Sequence, residues 1–230
     1  MSLDLELYII AYMLPEKTQK AIDTFRESGG HDVKVTVFDN SPTPTEFKNI
    51  DAYYHFPFNA SLTRVWNWAI GMAKTRWVCV SNTDITFAKG WREAFENTQH
   101  MKSSKLHNRF YCFFLDRSLV RLIGWFDERM TKIYWEDTDY VRRVVNAGLP
   151  WCSDCGVTPF ITNTHPPYTD DIWNHYYDNE ELKKGVQTPR NLDFYKEKWG
   201  DDNHWPNAGG KQLIPEVNWY PCADLPPVEW

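Results

Sequence analysis

The stretch LELYIIAYMLPEKTQKAIDTFRESGGHDVKVTVFDN, residues 5–40, contains a strand, a helix and a second strand in succession. Both ends are rich in β-branched and aromatic residues, which is typical of strands. Between them, roughly Pro15 to Glu27, apolar residues recur at helical spacing, and the pattern stops at Gly29 and Gly30. Because a helical crossover of this kind joins parallel strands, the stretch predicts the start of a parallel sheet.

The same alternation continues along the chain. A third strand is predicted in AYYHFP (residues 52–57), a helix from about Ser61 to Lys74, and a fourth strand in RWVCVSNTDI (residues 76–85). We therefore expect an α/β fold with a mostly parallel central sheet flanked by helices. Such sheets bind ligands at the carboxyl ends of their strands. Those ends carry the polar runs Asp39-Asn40-Ser41 and Asn82-Thr83-Asp84.

Composition excludes several classes of function. The 230 residues carry a net charge of -6 without a run of Lys or Arg, so nucleic acid is not an expected partner.

Several sequence motifs are absent as well. The sequence contains neither a G-x-G-x-x-G nor a G-x-x-x-x-G-K-[ST] phosphate loop, which disfavours a dinucleotide-binding or P-loop enzyme. No apolar stretch approaches the roughly 20 residues of a membrane span, and no signal peptide is recognised, so we expect a cytoplasmic protein without a transmembrane segment. Cys152 and Cys155 lack a second pair at zinc spacing and are expected to be ordinary thiols.

The second half of the chain is mixed. Residues 108–149 predict a strand, a short helix, a turn at Gly124 and a helix that begins near Thr138. A further strand that ends at His165 is predicted in GVTPFITNTHPPY (residues 156–168). Two more helices, near 170–184 and 191–199, precede an irregular tail rich in proline.

An acidic cluster precedes the helix near Thr138. The sequence IYWEDTDYVRR, residues 133–143, places Glu136, Asp137 and Asp139 within four positions. Acidic residues in a first turn interact favourably with the helix dipole, and Asp139 has ion-pair spacing to Arg143. That explains one or two carboxylates but not three at the junction of a strand and a helix. Such a junction is a place where burial and like charge can tune a proton acceptor.

Six segments in a fixed order resemble the GT-A glycosyltransferases of the family 2 type, in particular its rhamnosyltransferase-like members. The resemblance spans about Leu7 to Gly200. The segments are VFDNSPT (37–43), NASLTRVWNWAIGMA (59–73), VCVSNTDITFAKGW (78–91), GWFDERMTKIYWEDTDYVRRVVNAGL (124–149), TNTHPPY (162–168) and RNLDFYKEKWG (190–200). The chain departs from the family pattern at Asn82, which stands at the first position of the usual D-x-D, and at Ser61 and Ala69, which replace glycines.

The resemblance implies an inverting transfer of a hexosyl or deoxyhexosyl group from a UDP-, GDP- or dTDP-linked sugar. The expected acceptor is a hydroxyl of a glycan, a protein-linked glycan or a small molecule. Mn²⁺ or Mg²⁺ is the implied cofactor, with Asp84 and His165 as its expected ligands. The expected contacts to the nucleotide sugar are Asp39, Asn40, Asn59, Asn67, Asn82 and Asp84.

Asp137 is the expected general base, which removes the proton of the acceptor hydroxyl, and Glu136 is the alternative base. Neighbouring Glu136 and Asp139 are expected to raise the proton affinity of Asp137, because like charges disfavour ionisation.

We expect a single GT-A domain over residues 1–230. Residues 1–90 would form the nucleotide-sugar half, residues 91–168 the acceptor and catalytic half, and residues 169–230 the C-terminal helices and tail. Two other hypotheses about the function remain. One is a non-catalytic sugar-binding or assembly protein on a transferase scaffold. The other is a nucleotidyltransferase, although AYMLPEKTQ stands where such enzymes carry a Gly-rich, Arg-containing loop.

Overall fold

A computed structural model describes most of the chain. The described residues are 3–99, 106–107, 109–131, 134–152, 156–164 and 188–202. The first half comprises β1 (Leu5–Ala11), α1 (Pro15–Glu27), β2 (Lys34–Asp39), β3 (Ala52–His55), α2 (Leu62–Met72) and β4 (Trp77–Asn82). The second half comprises β5 (Ile85–Phe87), α3 (Trp91–Gln99), β6 (Leu106–His107), β7 (Cys112–Asp116), α4 (Ser118–Ile123), α5 (Glu136–Asn146), a 3-10 turn (Thr158–Phe160), β8 (Ile161–Asn163) and α6 (Thr188–Trp199).

Six strands form the central sheet, in the order β3-β2-β1-β4-β7-β6. The first four are parallel, as the alternation of strands and helices predicts, whereas β7 runs antiparallel to β4 and β6 antiparallel to β7. Strands β5 and β8 pair separately as a small antiparallel ribbon. The predicted α/β class with a mostly parallel sheet is therefore confirmed.

Both faces of the sheet are covered. Helices α1 and α3 pack on one face, where Phe25 stacks on Trp91 with ring centroids 4.8 Å apart. Helices α2, α4 and α5 pack on the other, where Trp66 contacts Phe113 edge-on at 5.1 Å. Because β1 lies at the centre, all seven of its residues are buried. This burial explains its nearly continuous apolar run.

The helix and turn predictions of the first half agree with the structure. Helix α1 has the predicted bounds, with Pro15 in its first turn, where a missing amide hydrogen costs nothing. Gly29 follows with φ of +126°, a conformation that glycine adopts without strain. In the second half, the predicted short helix and turn correspond to α4 and to Gly124, whose φ is +84°.

Three details differ from the sequence-based expectation. Helix α5 begins at Glu136 rather than near Thr138. The strand expected over 156–168 is a 3-10 turn followed by only three strand residues within the described part, because Pro159 favours a turn start. Cys152 is disulfide-bonded rather than a free thiol.

The helix expected near 170–184 and the tail lie outside the described residues. None of the described helices is long and apolar enough to cross a membrane.

Candidate functional site

The carboxyl ends of three neighbouring strands bring the first group of predicted residues to one edge of the sheet. Asp39 at the end of β2 pairs with Ala11, and Asn82 at the end of β4 pairs with Ile10. Since β1 lies between β2 and β4, Asp39 and Asn82 flank its end from opposite sides, about 10 Å apart by strand spacing. This is the edge at which open α/β sheets bind ligands.

Asp39 is fully buried and organises the loop that follows β2. Its Oδ1 accepts a hydrogen bond from the Ser41 amide at 2.9 Å, and its Oδ2 accepts one from the Tyr53 hydroxyl at 2.8 Å. Two carboxylate oxygens offer about four acceptor sites, so Asp39 retains capacity for a further donor. Its contact with a nucleotide base stays a prediction.

Asn40 and Asn59 shape the loop between β3 and α2. The Oδ1 of Asn40, which is buried, accepts a hydrogen bond from the Ala60 amide at 3.3 Å. Asn59 is exposed, and its Oδ1 accepts one from the Ser61 amide at 3.0 Å. Residue 61 has φ of +74°, which explains why glycine would suit this position. The loop is thereby fastened beside the sheet edge, and the predicted sugar contacts of both asparagines remain predictions.

Asn67 lies inside the molecule on α2. Its amide nitrogen donates to the carbonyl oxygen of Phe126 at 2.9 Å and to Oε1 of Glu128 at 3.0 Å, and its Oδ1 accepts from the Phe126 amide at 3.0 Å. Both donor hydrogens are therefore in use, and the role visible in the structure is to hold residues 126–128 against α2. Its predicted contact with a nucleotide sugar stays a prediction. Glu128 also pairs with Arg64 at 3.2 Å.

Asn82, the last residue of β4, and Asp84, two positions later, are both half-buried. The backbone carbonyl of Asp84 accepts hydrogen bonds from the amide of Thr164 at 2.7 Å and from its hydroxyl at 2.8 Å. Thr164 precedes His165, so the chain next to His165 is tied to Asp84. The second predicted metal ligand, His165 itself, lies outside the described residues.

The oxygen atoms that the Asp84 and Asn82 side chains offer at this edge are ligands suited to a hard divalent cation. A carboxylate and an amide oxygen are oxygen ligands, and Mg²⁺ and similar ions are commonly held by one or two carboxylates plus substrate phosphates. Within the described ranges, no group of three or more His, Cys, Asp or Glu side chains is arranged to hold a metal ion.

Helix α5 carries the predicted base. Asp137 is half-buried in its first turn, and its Oδ1 accepts a hydrogen bond from the Thr138 amide at 2.7 Å. Glu136 is buried, and its Oε2 has no hydrogen-bond partner among the described residues. Burial, followed by the negative charge of Asp137, raises the pKa of Glu136 well above its ordinary value. Glu136 is thus favoured as a neutral acid beside Asp137.

The turn before α5 is strained. Tyr134 and Trp135 have φ values of +72° and +74°, in the left-handed region that bulky residues rarely occupy. Each such residue costs about 1 to 3 kcal/mol and persists only where its surroundings hold it. This strained backbone directly precedes Glu136 and Asp137, the first two residues of α5.

Asp139 belongs to a buried ion network. It is fully buried and pairs with Arg143 at 3.0 Å, as the spacing predicted, but also with Lys198 at 2.8 Å. Lys198 is itself fully buried and lies 2.8 Å from Asp127, which Arg129 contacts at 2.7 Å. The charge of Asp139 is therefore compensated, and its expected repulsive effect on Asp137 is reduced.

The pKa of Asp127 reflects the same network. Burial, the largest influence, acts to raise it, but the hydrogen bonds from Arg129 and the charge of Lys198 lower the net pKa of Asp127 below its ordinary value. Asp127 is therefore held as a carboxylate. Sequence reasoning did not assign a role to Lys198, although the segment RNLDFYKEKWG that contains it was part of the resemblance.

Comparisons with known proteins show the fold. No family model and no curated protein matches this sequence. Among solved structures, the chain is similar to the mannosyltransferase PcManGT from Pyrobaculum calidifontis in complex with GDP-Man and Mn²⁺, with a TM-score of 0.59 and 11% identity over 83% of this chain and 67% of that one. It is also similar to TarS from S. aureus, with a TM-score of 0.52 and 11% identity over 67% of this chain and 35% of TarS. The chain thus has the α/β fold of these proteins.

Proposed function

We propose that this protein is an inverting glycosyltransferase of the family 2 type, which moves a hexosyl or deoxyhexosyl group from a nucleotide-diphosphate sugar to an acceptor hydroxyl. The observation that carries the proposal is the position of Asp39 and Asn82 on either side of the end of β1, at the ligand-binding edge of the sheet. The fold shared with a mannosyltransferase that binds GDP-Man and Mn²⁺ supports it.

Each group of residues has one task in this proposal. Asp39, with Asn40, receives the nucleoside, and Asn59 and Asn67 shape the adjoining wall. Asp84, with Asn82 and His165, would hold a divalent cation, Mn²⁺ or Mg²⁺, which compensates the charge of the diphosphate when bound.

Asp137 takes the proton of the acceptor hydroxyl as its oxygen attacks the anomeric carbon from the face opposite the diphosphate. A bond from the acceptor oxygen to that carbon forms, the bond to the diphosphate oxygen breaks, and the nucleoside diphosphate leaves. Glu136 is the alternative proton acceptor when it is ionised. In the neutral form that its raised pKa favours, it can donate a hydrogen bond to a hydroxyl.

A panel of UDP-, GDP- and dTDP-sugars tests the proposal, with binding measured by calorimetry in the presence and absence of Mn²⁺ and transfer measured by release of nucleoside diphosphate. We expect Asp137→Asn to abolish transfer and leave donor affinity unchanged, and Asp84→Ala to remove the effect of Mn²⁺ on that affinity. The exposed carboxylate of Glu96 on α3 provides a matched control, since Glu96→Gln should alter neither quantity.

Loss of donor binding in Asp137→Asn would contradict the role of Asp137 as the base. Unchanged metal dependence in Asp84→Ala would eliminate that residue as a ligand. Tight donor binding by the wild-type protein without any turnover would favour the non-catalytic sugar-binding alternative.

A further inference from the structure

One face of α6 packs against the segment around Glu136 and Asp137, which carries the proposed base. Asn191, Tyr195, Lys198 and Trp199 recur at helical spacing and are at most 4% exposed. A helix buries such a stripe against whatever it packs on. Here the partners are Thr131, the turn formed by Tyr134 and Trp135, and the first turns of α5.

Asn191 holds the turn directly. Its Nδ2 donates to the carbonyl oxygens of Thr131 and Tyr134, at 2.9 Å in each case. The two bonds join the backbone at Thr131 and at Tyr134 to one buried side chain. The second bond anchors the carbonyl of a residue that is itself in the left-handed region.

The rest of the stripe holds the segment on either side. The ring of Trp135 packs against Tyr195 with centroids 5.0 Å apart. On the far side, the indole nitrogen of Trp199 donates to Oδ1 of Asp139 at 2.8 Å, beside the contact from Lys198. The backbone from 134 to 139 is thus clamped before and after Glu136 and Asp137.

We propose that Asn191 is a positioning residue for sugar transfer: by holding the backbone carbonyl groups of Thr131 and Tyr134, it sets the direction in which Asp137 and Glu136 meet the acceptor hydroxyl. This inference rests on the proposed function. Asn191 is fully buried, so in this proposal it acts through the strained backbone that it holds. Its removal should therefore alter the chemical step and not the affinity for the donor.

Asn191→Leu removes both hydrogen bonds at nearly constant volume. We expect kcat to fall about 10- to 100-fold, the usual effect of a small misplacement of a reacting group. The donor KM should change by less than about twofold, which separates positioning from binding. Lys196→Met is the matched control on the same helix, because the Lys196 side chain is 45% exposed and its ion pair within the described part of the chain is with the exposed Asp202.

Hydrogen exchange at the amides of residues 136–139 provides a readout that does not require turnover. We expect faster exchange in Asn191→Leu than in the wild type and unchanged exchange in Lys196→Met. If Asn191→Leu does not fold, Asn191→Ser, which keeps a polar but shorter side chain, is measured in the same way.

Unchanged kcat per folded molecule would overturn the inference, even if the melting temperature fell. A parallel loss of donor affinity, or unchanged exchange at residues 136–139, would overturn it as well. A wild-type protein that transfers no sugar would refute the proposed function, whereas the exchange experiment would still decide whether Asn191 positions the turn.

Discussion

Replacement of Lys198 by Met should destabilise the protein far more than replacement of an exposed lysine on the same helix. The side chains of Lys198, Asp127 and Asp139 are all fully buried, and both carboxylates lie 2.8 Å from the Lys198 nitrogen. Removal of one partner from a buried ion pair typically costs about 3 to 5 kcal/mol, because the remaining charge is left uncompensated. Each carboxylate still has an arginine partner, since Arg129 lies 2.7 Å from Asp127 and Arg143 lies 3.0 Å from Asp139. We therefore expect a cost at the lower end of this range.

The expected loss for Lys198→Met is therefore about 3 kcal/mol in the free energy of unfolding. For a chain of this size, that corresponds to a fall in Tm of about 6 to 12 °C. Urea and thermal unfolding measure both quantities. Lys196→Met is the control: its ion pair with Asp202 is 3.3 Å long and exposed, so its removal should cost less than about 1 kcal/mol.

A double-mutant cycle with Asp139→Asn separates the ion pair between Lys198 and Asp139 from other effects, since contacting residues show coupling of about 0.5 to 3 kcal/mol.

The stability lost in Lys198→Met should also be smaller in acid. The pKa of Asp127 is lowered in the folded protein, so its contribution is present above the ordinary value of 3.8 and is lost as pH falls through the folded value. Equal stability of Lys198→Met and Lys196→Met at neutral pH would refute the reasoning.

Two further substitutions test burial and packing. The pKa of Glu136 is raised in the folded protein, so the stability of the wild type should decline as pH rises from the ordinary pKa of 4.5 towards the folded pKa. Glu136→Gln stays neutral and escapes this loss. Over that pH range, the Tm of Glu136→Gln relative to the wild type should therefore rise by the equivalent of about 1.4 kcal/mol per pH unit. A pH-independent difference would contradict this. Gly30→Ala would place Cβ closer to the buried ring of Phe25 than van der Waals contact allows, and it should lower the free energy of unfolding measured in urea by about 1 to 3 kcal/mol. Gly156→Ala is the control, because no atom of the described residues lies within 4 Å of a Cβ at that position. Equal losses in the two variants would show that the Phe25 ring moves aside and contradict the expected clash.

Much of the fold follows from local sequence patterns. The bounds of α1 were predicted because helical periodicity, a proline at the start and glycines at the end all coincide within one segment. The position of Asp39 and Asn82 at one edge was also predictable, since parallel strands joined by helical crossovers end on the same side.

Other features of the site depend on residues far apart in the chain. Lys198 meets Asp127 across 71 positions, and Trp199 meets Asp139 across 60. The left-handed turn at Tyr134 and Trp135 runs against the preference of both residues, so no local rule predicts it.

The amino-acid sequence alone determined which segments become strands and helices, and which polar residues stand at the strand ends, because these properties arise from the spacing of neighbouring side chains. Only the tertiary structure decided that Asn67 points inward to hold Phe126 and that Lys198 neutralises two carboxylates. The physical reason is that hydrogen bonds and ion pairs between distant segments form only after the helices pack, when burial makes each unpaired group costly.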